Sequence, residues 1–174
     1  DADTVEIADA LWDNASLEIL SLNSNKISDQ GAAAIAEALK VNTAVTFIHL
    51  ERNNIGAEGA KAIASALAGN AVLTSLSLED NYIGPAGAAA IAEALKVNRI
   101  LQQLVVEMEG SNREGAAAVA NALRSNTTLT ELDLTRLSLS CLRRDALSRA
   151  CFASRNRRSA PFSRPRCAPR SSRT

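Results

Sequence analysis

Few residues of this 174-residue chain could do chemistry: one histidine, three cysteines and a series of glutamates at a fixed interval. Cys141, Cys151 and Cys167 are separated by nine and fifteen residues, which matches no zinc-ligand spacing, and His49 lies far from them in sequence. No acid–nucleophile pairing accompanies His49, so it reads as an exposed strand residue rather than a catalytic base. The sequence has no HExxH, no Gly-rich phosphate loop and no nucleophile elbow. What remains is Glu51, Glu79 and Glu107, each 28 residues from the next. If a unit of that length stacks on itself, the three carboxylates form a column with neighbours about 5 Å apart. Repulsion between such neighbours is roughly 1 kcal/mol in water. An anionic strip of this kind would welcome Lys or Arg from a partner. The expected chemistry is recognition, with no catalytic residue, cofactor, metal or small-molecule substrate.

Residues beside the column extend this expected contact surface. Phe47, His49 and Arg52 accompany Glu51, Ser77 and Asp80 accompany Glu79, Val105 accompanies Glu107, and Asp133 follows in a later unit. An exposed Phe47 near His49 and Arg52 has the form of an apolar anchor with a charged rim.

The unit that must position these residues is visible in repeated text. GAAAIAEALKVN occurs at 31–42 and again at 87–98, with the divergent copy GAKAIASALAGN between them at 59–70. Each helical word follows an extended one: LEILSLNSNKI at Leu17, VTFIHLERNNI at Val45, LTSLSLEDNYI at Leu73. Further units open at Leu101 and Leu129, and residues 1–14 are the helical half of an earlier one. The first half of each unit alternates apolar and polar residues, as a strand with one buried face does. The second spaces apolar residues by four, as in Gly59, Ile63 and Leu67, and predicts a short helix. Neither half buries its apolar face alone, so stability must come from stacking.

The pattern LxxLxLxxNxI followed by GAxAIAxALxxN resembles the leucine-rich repeat, in the 28-residue ribonuclease-inhibitor-like subtype found in NOD-like receptor sensor regions and Ran GTPase-activating proteins. The resemblance covers about residues 4–135. It implies an α/β solenoid, a horseshoe arc with parallel strands on the concave side and helices on the convex side. Strands about 4.8 Å apart and helices needing 8–10 Å bend such a stack toward its strands. Leu17, Leu20 and Leu22 and their counterparts form the expected buried ridge. Asn25, Asn53 and Asn81 hold the turn after each strand, and the resemblance implies that they stack as a structural ladder. The fourth unit departs from the pattern, with Glu109 in the asparagine slot and Ser111 in the isoleucine slot.

Charge divides the chain. Residues 1–135 hold 8 Lys and Arg against 18 Asp and Glu, whereas residues 136–174 hold 11 Arg against Asp145 alone. We therefore expect a repeat domain over 1–140 and an Arg/Ser/Pro-rich tail over 141–174, partly helical at most and then disordered. A frame or splice change near Arg136 would explain how abruptly the pattern decays. The absence of cysteine from the body, of a signal-like start and of a membrane-length apolar run points to the cytoplasm. The expected function is a protein–protein interaction module that binds a basic partner through its concave strands, has no enzyme activity and is a fragment of a larger receptor or scaffold. Two alternatives are a GTPase-activating regulator of the Ran GTPase-activating type, and nucleic-acid binding through the tail, for which charge is the only support.

Overall fold

A computed structural model of the chain describes residues 1–107 and 113–135. Glu109 and Ser111, and the tail with its boundary at residue 141, lie outside the described residues. Strands β1 (Ile19–Ser21), β2 (Phe47–His49), β3 (Ser75–Leu78), β4 (Gln103–Glu107) and β5 (Glu131–Thr135) alternate with five helices. The helices are α1 (Ala2–Asp13), α2 (Asp29–Val41), α3 (Ala57–Gly69), α4 (Gly84–Val97) and α5 (Arg113–Ser125). The strands form one parallel sheet in the order β1-β2-β3-β4-β5. Its register advances by one repeat per strand: Ile19 faces Phe47, Phe47 faces Ser75, Ser75 faces Gln103 and Gln103 faces Glu131. The helices pack on one another in the same order, so the architecture is an open solenoid with strands on the concave side and helices on the convex side.

The core is a set of aliphatic rows running along the stack. Ile48, Leu76 and Leu104 make one row, Leu50, Leu78 and Val106 a second, and Ile27, Ile55 and Ile83 a third, all essentially inaccessible to solvent. On the helical side Leu39, Leu67 and Leu95 meet them. Small residues allow the helices to approach closely. A Cβ added at Gly87 would lie 2.6 Å from Ile83 Cγ2 and 2.8 Å from Ala60 Cβ, so the position tolerates no side chain without a shift.

Two asparagine ladders hold the coils together. Asn53, 3% exposed, accepts the backbone N–H groups of Asn25 (3.0 Å) and Ile27 (2.9 Å) with Oδ1. Its Nδ2 donates to the carbonyls of Leu22 and Leu50, both at 2.9 Å, and of Glu51 at 3.2 Å. Asn81 repeats this, accepting from Ile55 N–H and donating to Leu50, Leu78 and Glu79. Asn25 occupies the same slot but is exposed, and its amide donates only locally, to the Asn23 carbonyl. Each ladder residue serves the turn before its own, and Asn25 has no described turn before it.

The second ladder was not singled out from sequence, although its residues close every helical word. Asn42, Asn70, Asn98 and Asn126 donate to the carbonyls of Leu11, Leu39, Leu67 and Leu95 at 2.7–2.8 Å. Their side-chain oxygens accept from the start of the following segment, as Asn70 does from Val72 and Leu73. One side chain thus stops a helix, binds the preceding coil and starts the next strand.

Leu17 departs from the expected ridge. Its counterparts Val45, Leu73 and Leu101 are fully buried, but Leu17 is 37% exposed. Each buried counterpart has strand segments on both sides, whereas among the described residues Leu17 is flanked on one side only, by the segment that leads into β2.

Candidate interaction surface

Strand residues that point away from the aliphatic rows line the concave face in three columns. The first is Ile19, Phe47, Ser75, Gln103 and Glu131, and the second is Ser21, His49, Ser77, Val105 and Asp133. The third is set by turn geometry as well as by strand pairing. Ser24 N–H donates to Glu51 O and Arg52 N–H to Glu79 O, both at 2.9 Å, which puts Asn23, Glu51 and Glu79 side by side. Ser24, Arg52 and Asp80 reach these bonds with positive φ of 61°, 56° and 52°, a left-handed turn at the same place in three successive units. The same turn sets Arg52 Nε 3.4 Å from Asp80 Oδ2, a largely solvated pair.

The third column changes at its fourth member. Asp80 N–H donates to the carboxylate Oε2 of Glu107 at 3.1 Å, where the two previous units offer a backbone carbonyl. Glu107 is consequently 3% exposed, and the expectation that it presents its charge to a partner is corrected. Its carboxylate belongs to the turn of the third unit. Ser77 is also buried, at 6%.

Glu51 is the best-defined charged group of the face. Its Oε1 lies 3.1 Å from His49 Nδ1, and its backbone N–H is held by Asn23 Oδ1 at 3.2 Å. Burial alone would raise its carboxyl pKa; hydrogen bonding from the Ser77 hydroxyl, its own N–H and His49, with the charge of His49, outweighs this and holds the group below its ordinary value of 4.5. The folded state therefore binds the Glu51 proton less readily than the unfolded chain does. Its contribution to stability is present above pH 4.5 and is lost as pH falls through the lowered folded value. Glu51→Gln is expected to reduce the loss of stability on acidification below that pH, read from urea midpoints at pH 3–6; an unchanged profile would refute this role.

Of the remaining expected contact residues, Phe47 is 37% exposed and has Ile19, 57% exposed, as its register partner. His49, Glu79 and Val105 are half-buried, and Asp133 is exposed. The sequence reading did not include Ile19, which extends the apolar end of the face. Its alternation with the buried Leu20 was the available signal. At the rim, Arg52, Asn54, Asp80, Asn81, Tyr82 and Glu107 line a polar cleft of about 340 Å³. Among the described residues no cluster of three or more potential metal ligands occurs, and no helix is long and apolar enough to cross a membrane. The face thus offers an apolar end at Ile19 and Phe47 and carboxylates at Glu51, Glu79, Glu131 and Asp133. These fourteen column positions include neither Lys nor Arg.

Comparison with known proteins agrees with this geometry. A family profile described as leucine rich repeat matches residues 13–36, 41–64, 69–92 and 125–136. Comparison with curated protein sequences gives no match. The solved structure of leiomodin-1 actin-binding site 2 is similar, with a TM-score of 0.73 and 24% identity over 87% of each chain. The C-terminal domain of Caenorhabditis elegans tropomodulin also has a TM-score of 0.73, at 17% identity, over 87% of this chain and 93% of that one. At these identities the likeness is one of fold. Over the described residues the chain carries leucine-rich repeats, stacked as a solenoid.

Proposed function

We propose that the chain is a protein-interaction module that binds a basic partner through its concave strand face, with Phe47, His49, Glu51, Arg52, Glu79, Asp80, Val105 and Asp133 as contact residues. Glu107 and Ser77 support the face from beneath. The observation that carries this reading is the charge of the columns: carboxylates recur across the strands, with no Lys or Arg among them. Desolvating such a surface is favourable only against a partner that supplies compensating cations, and that requirement gives specificity. The apolar pair Ile19 and Phe47 offers an anchor beside the charged area. The scaffold alone names no partner, since one fold serves many functions. The ribonuclease-inhibitor-like subtype and a place within a larger cytoplasmic receptor or scaffold, as in NOD-like receptors, remain part of this reading. The similar leiomodin-1 domain is named as an actin-binding site, which makes actin one protein to assay directly.

The test is a titration of the full chain with a fluorescent oligolysine peptide and, separately, with actin. Reversing Glu51, Glu79 and Asp133 to Lys is expected to weaken peptide binding at least ~100-fold, at about 1–2 kcal/mol per lost charge pair. Affinity should also fall with added salt. Binding of the triple variant equal to that of the unaltered chain would discard the concave face as the site.

A further inference from the structure

The concave columns carry carboxylates and neither Lys nor Arg, and the complementary charge stands elsewhere in the same chain. Residues 155–174, outside the described residues, hold seven Arg and no Asp or Glu. On the face, Glu131 and Asp133 lie on β5, and Glu51 and Glu79 follow β2 and β3. Phe47 of β2, with Ile19 as its register partner, forms the apolar end. From β5 to β2 is three strand spacings, about 14 Å.

The order of residues in the tail matches that layout. Arg157 and Arg158 come first, Phe162 follows four to five residues later, and Arg164 and Arg166 follow Phe162. Four to five residues of extended chain span about 13–17 Å, the distance from β5 to β2. Pro161 and Pro165 suit such a run, because each fixes its own φ and pushes the residue before it toward an extended backbone. Arg157 is 22 residues beyond Thr135, the end of β5, and that length reaches up to roughly 70 Å. The segment can therefore turn back over the face.

We propose that residues 155–166 lie across the concave face from β5 to β2, as an occupant that a basic partner must displace. Arg157 and Arg158 meet Glu131 and Asp133, Phe162 rests against Phe47 and Ile19, and Arg164 and Arg166 meet Glu51 and Glu79. Guanidinium groups suit this role, since each can offer a carboxylate two parallel N–H donors. The inference rests on the proposed reading of the concave face as a surface for cations. Tethering holds the segment at an effective concentration on the order of 1 mM. An intrinsic dissociation constant of only ~0.1 mM then weakens a competing partner ~10-fold.

All three cysteines lie in the tail, which allows the contact to be read in the full chain. With Cys141→Ser and Cys151→Ser, a nitroxide is placed on Cys167 and the broadening of backbone amide signals is measured. The amides of Phe47, His49 and Ser77 are expected to broaden, and those of Glu37, Lys61 and Glu93, exposed on the helices, to stay sharp. The effect should vanish in 1 M salt, where screening extends only about 3 Å. Equal broadening on both faces, or none, would overturn the proposal. So would broadening of equal size when the nitroxide is carried by a separate copy, since the occupant would then be another molecule's tail. The variant Arg157→Ser, Arg158→Ser, Arg164→Ser, Arg166→Ser is expected to bind the oligolysine peptide ~10-fold more tightly, and unchanged affinity would also count against the contact. Concave amides left sharp while the Glu51, Glu79 and Asp133 reversals still weaken peptide binding mark failure of the tail contact alone. Peptide binding indifferent to those reversals marks failure of the face, and both readings fall with it.

Discussion

Leu76→Ala is expected to lower the stability of the repeat domain by about 3–5 kcal/mol, the range for truncating a fully buried leucine where neighbours close the cavity only in part. Leu76 is 1% exposed and sits in the middle strand of the sheet, with Ile48 and Leu104 as its register partners. Both neighbours are held by the same kind of contact, so little can collapse into the space. In a solenoid each coil is stabilised only by those beside it, and damage to the central coil uncouples the two ends. Urea unfolding should therefore show a lower midpoint and also a reduced m-value or a second transition. The companion measurement is Leu17→Ala. The repeat pattern makes Leu17 a ridge residue, yet at 37% exposure it should cost under about 1 kcal/mol. Equal losses at the two positions would contradict the stacking described here.

Asn53→Ala is expected to cost about 3–5 kcal/mol, though it removes no apolar contact. The side chain makes five hydrogen bonds to backbone groups of two successive coils. Alanine leaves buried groups, among them Ile27 N–H and the Leu22 carbonyl, without that partner, and each buried group left unsatisfied costs about 1–3 kcal/mol. Asn53→Asp keeps the acceptor but loses the donor and adds a buried charge, so it should be no better tolerated. Asn25→Ala is the control: its amide reaches only the Asn23 carbonyl, and the loss should stay within about 0.5 kcal/mol. Chemical denaturation of the three variants decides the matter, and a small effect of Asn53→Ala would remove the ladder from the account of stability.

Much of the fold could be read from the text because the coils are equal in length. When every unit spans 28 residues, sheet register becomes arithmetic, and Phe47 must stand beside Ser75 as it does. The switch from alternation to four-residue spacing marks strand and helix within each unit. The candidate surface was legible to the same extent: the columns of Glu51 and Glu79 and of His49 and Ser77 follow from position in the repeat. Ile19 stands one period before Phe47 but was left out, because the contact residues were taken from the second unit onward.

What the residue pattern determined by itself is everything that repeats: the period, the alternation of elements, the aliphatic rows and the asparagine slot. Those features arise from interactions within one coil or between identical neighbours, so a single period contains them. Tertiary structure alone decided where the repetition fails. It exposed Leu17 and Asn25, which among the described residues have a strand or turn on one side only. It drew the carboxylate of Glu107 under the turn at Asp80, and it gave the helix-ending asparagines their partners one coil away. In each case the deciding contact lies in a different coil, and whether that neighbour is present, and what it offers, is not written in the residue itself.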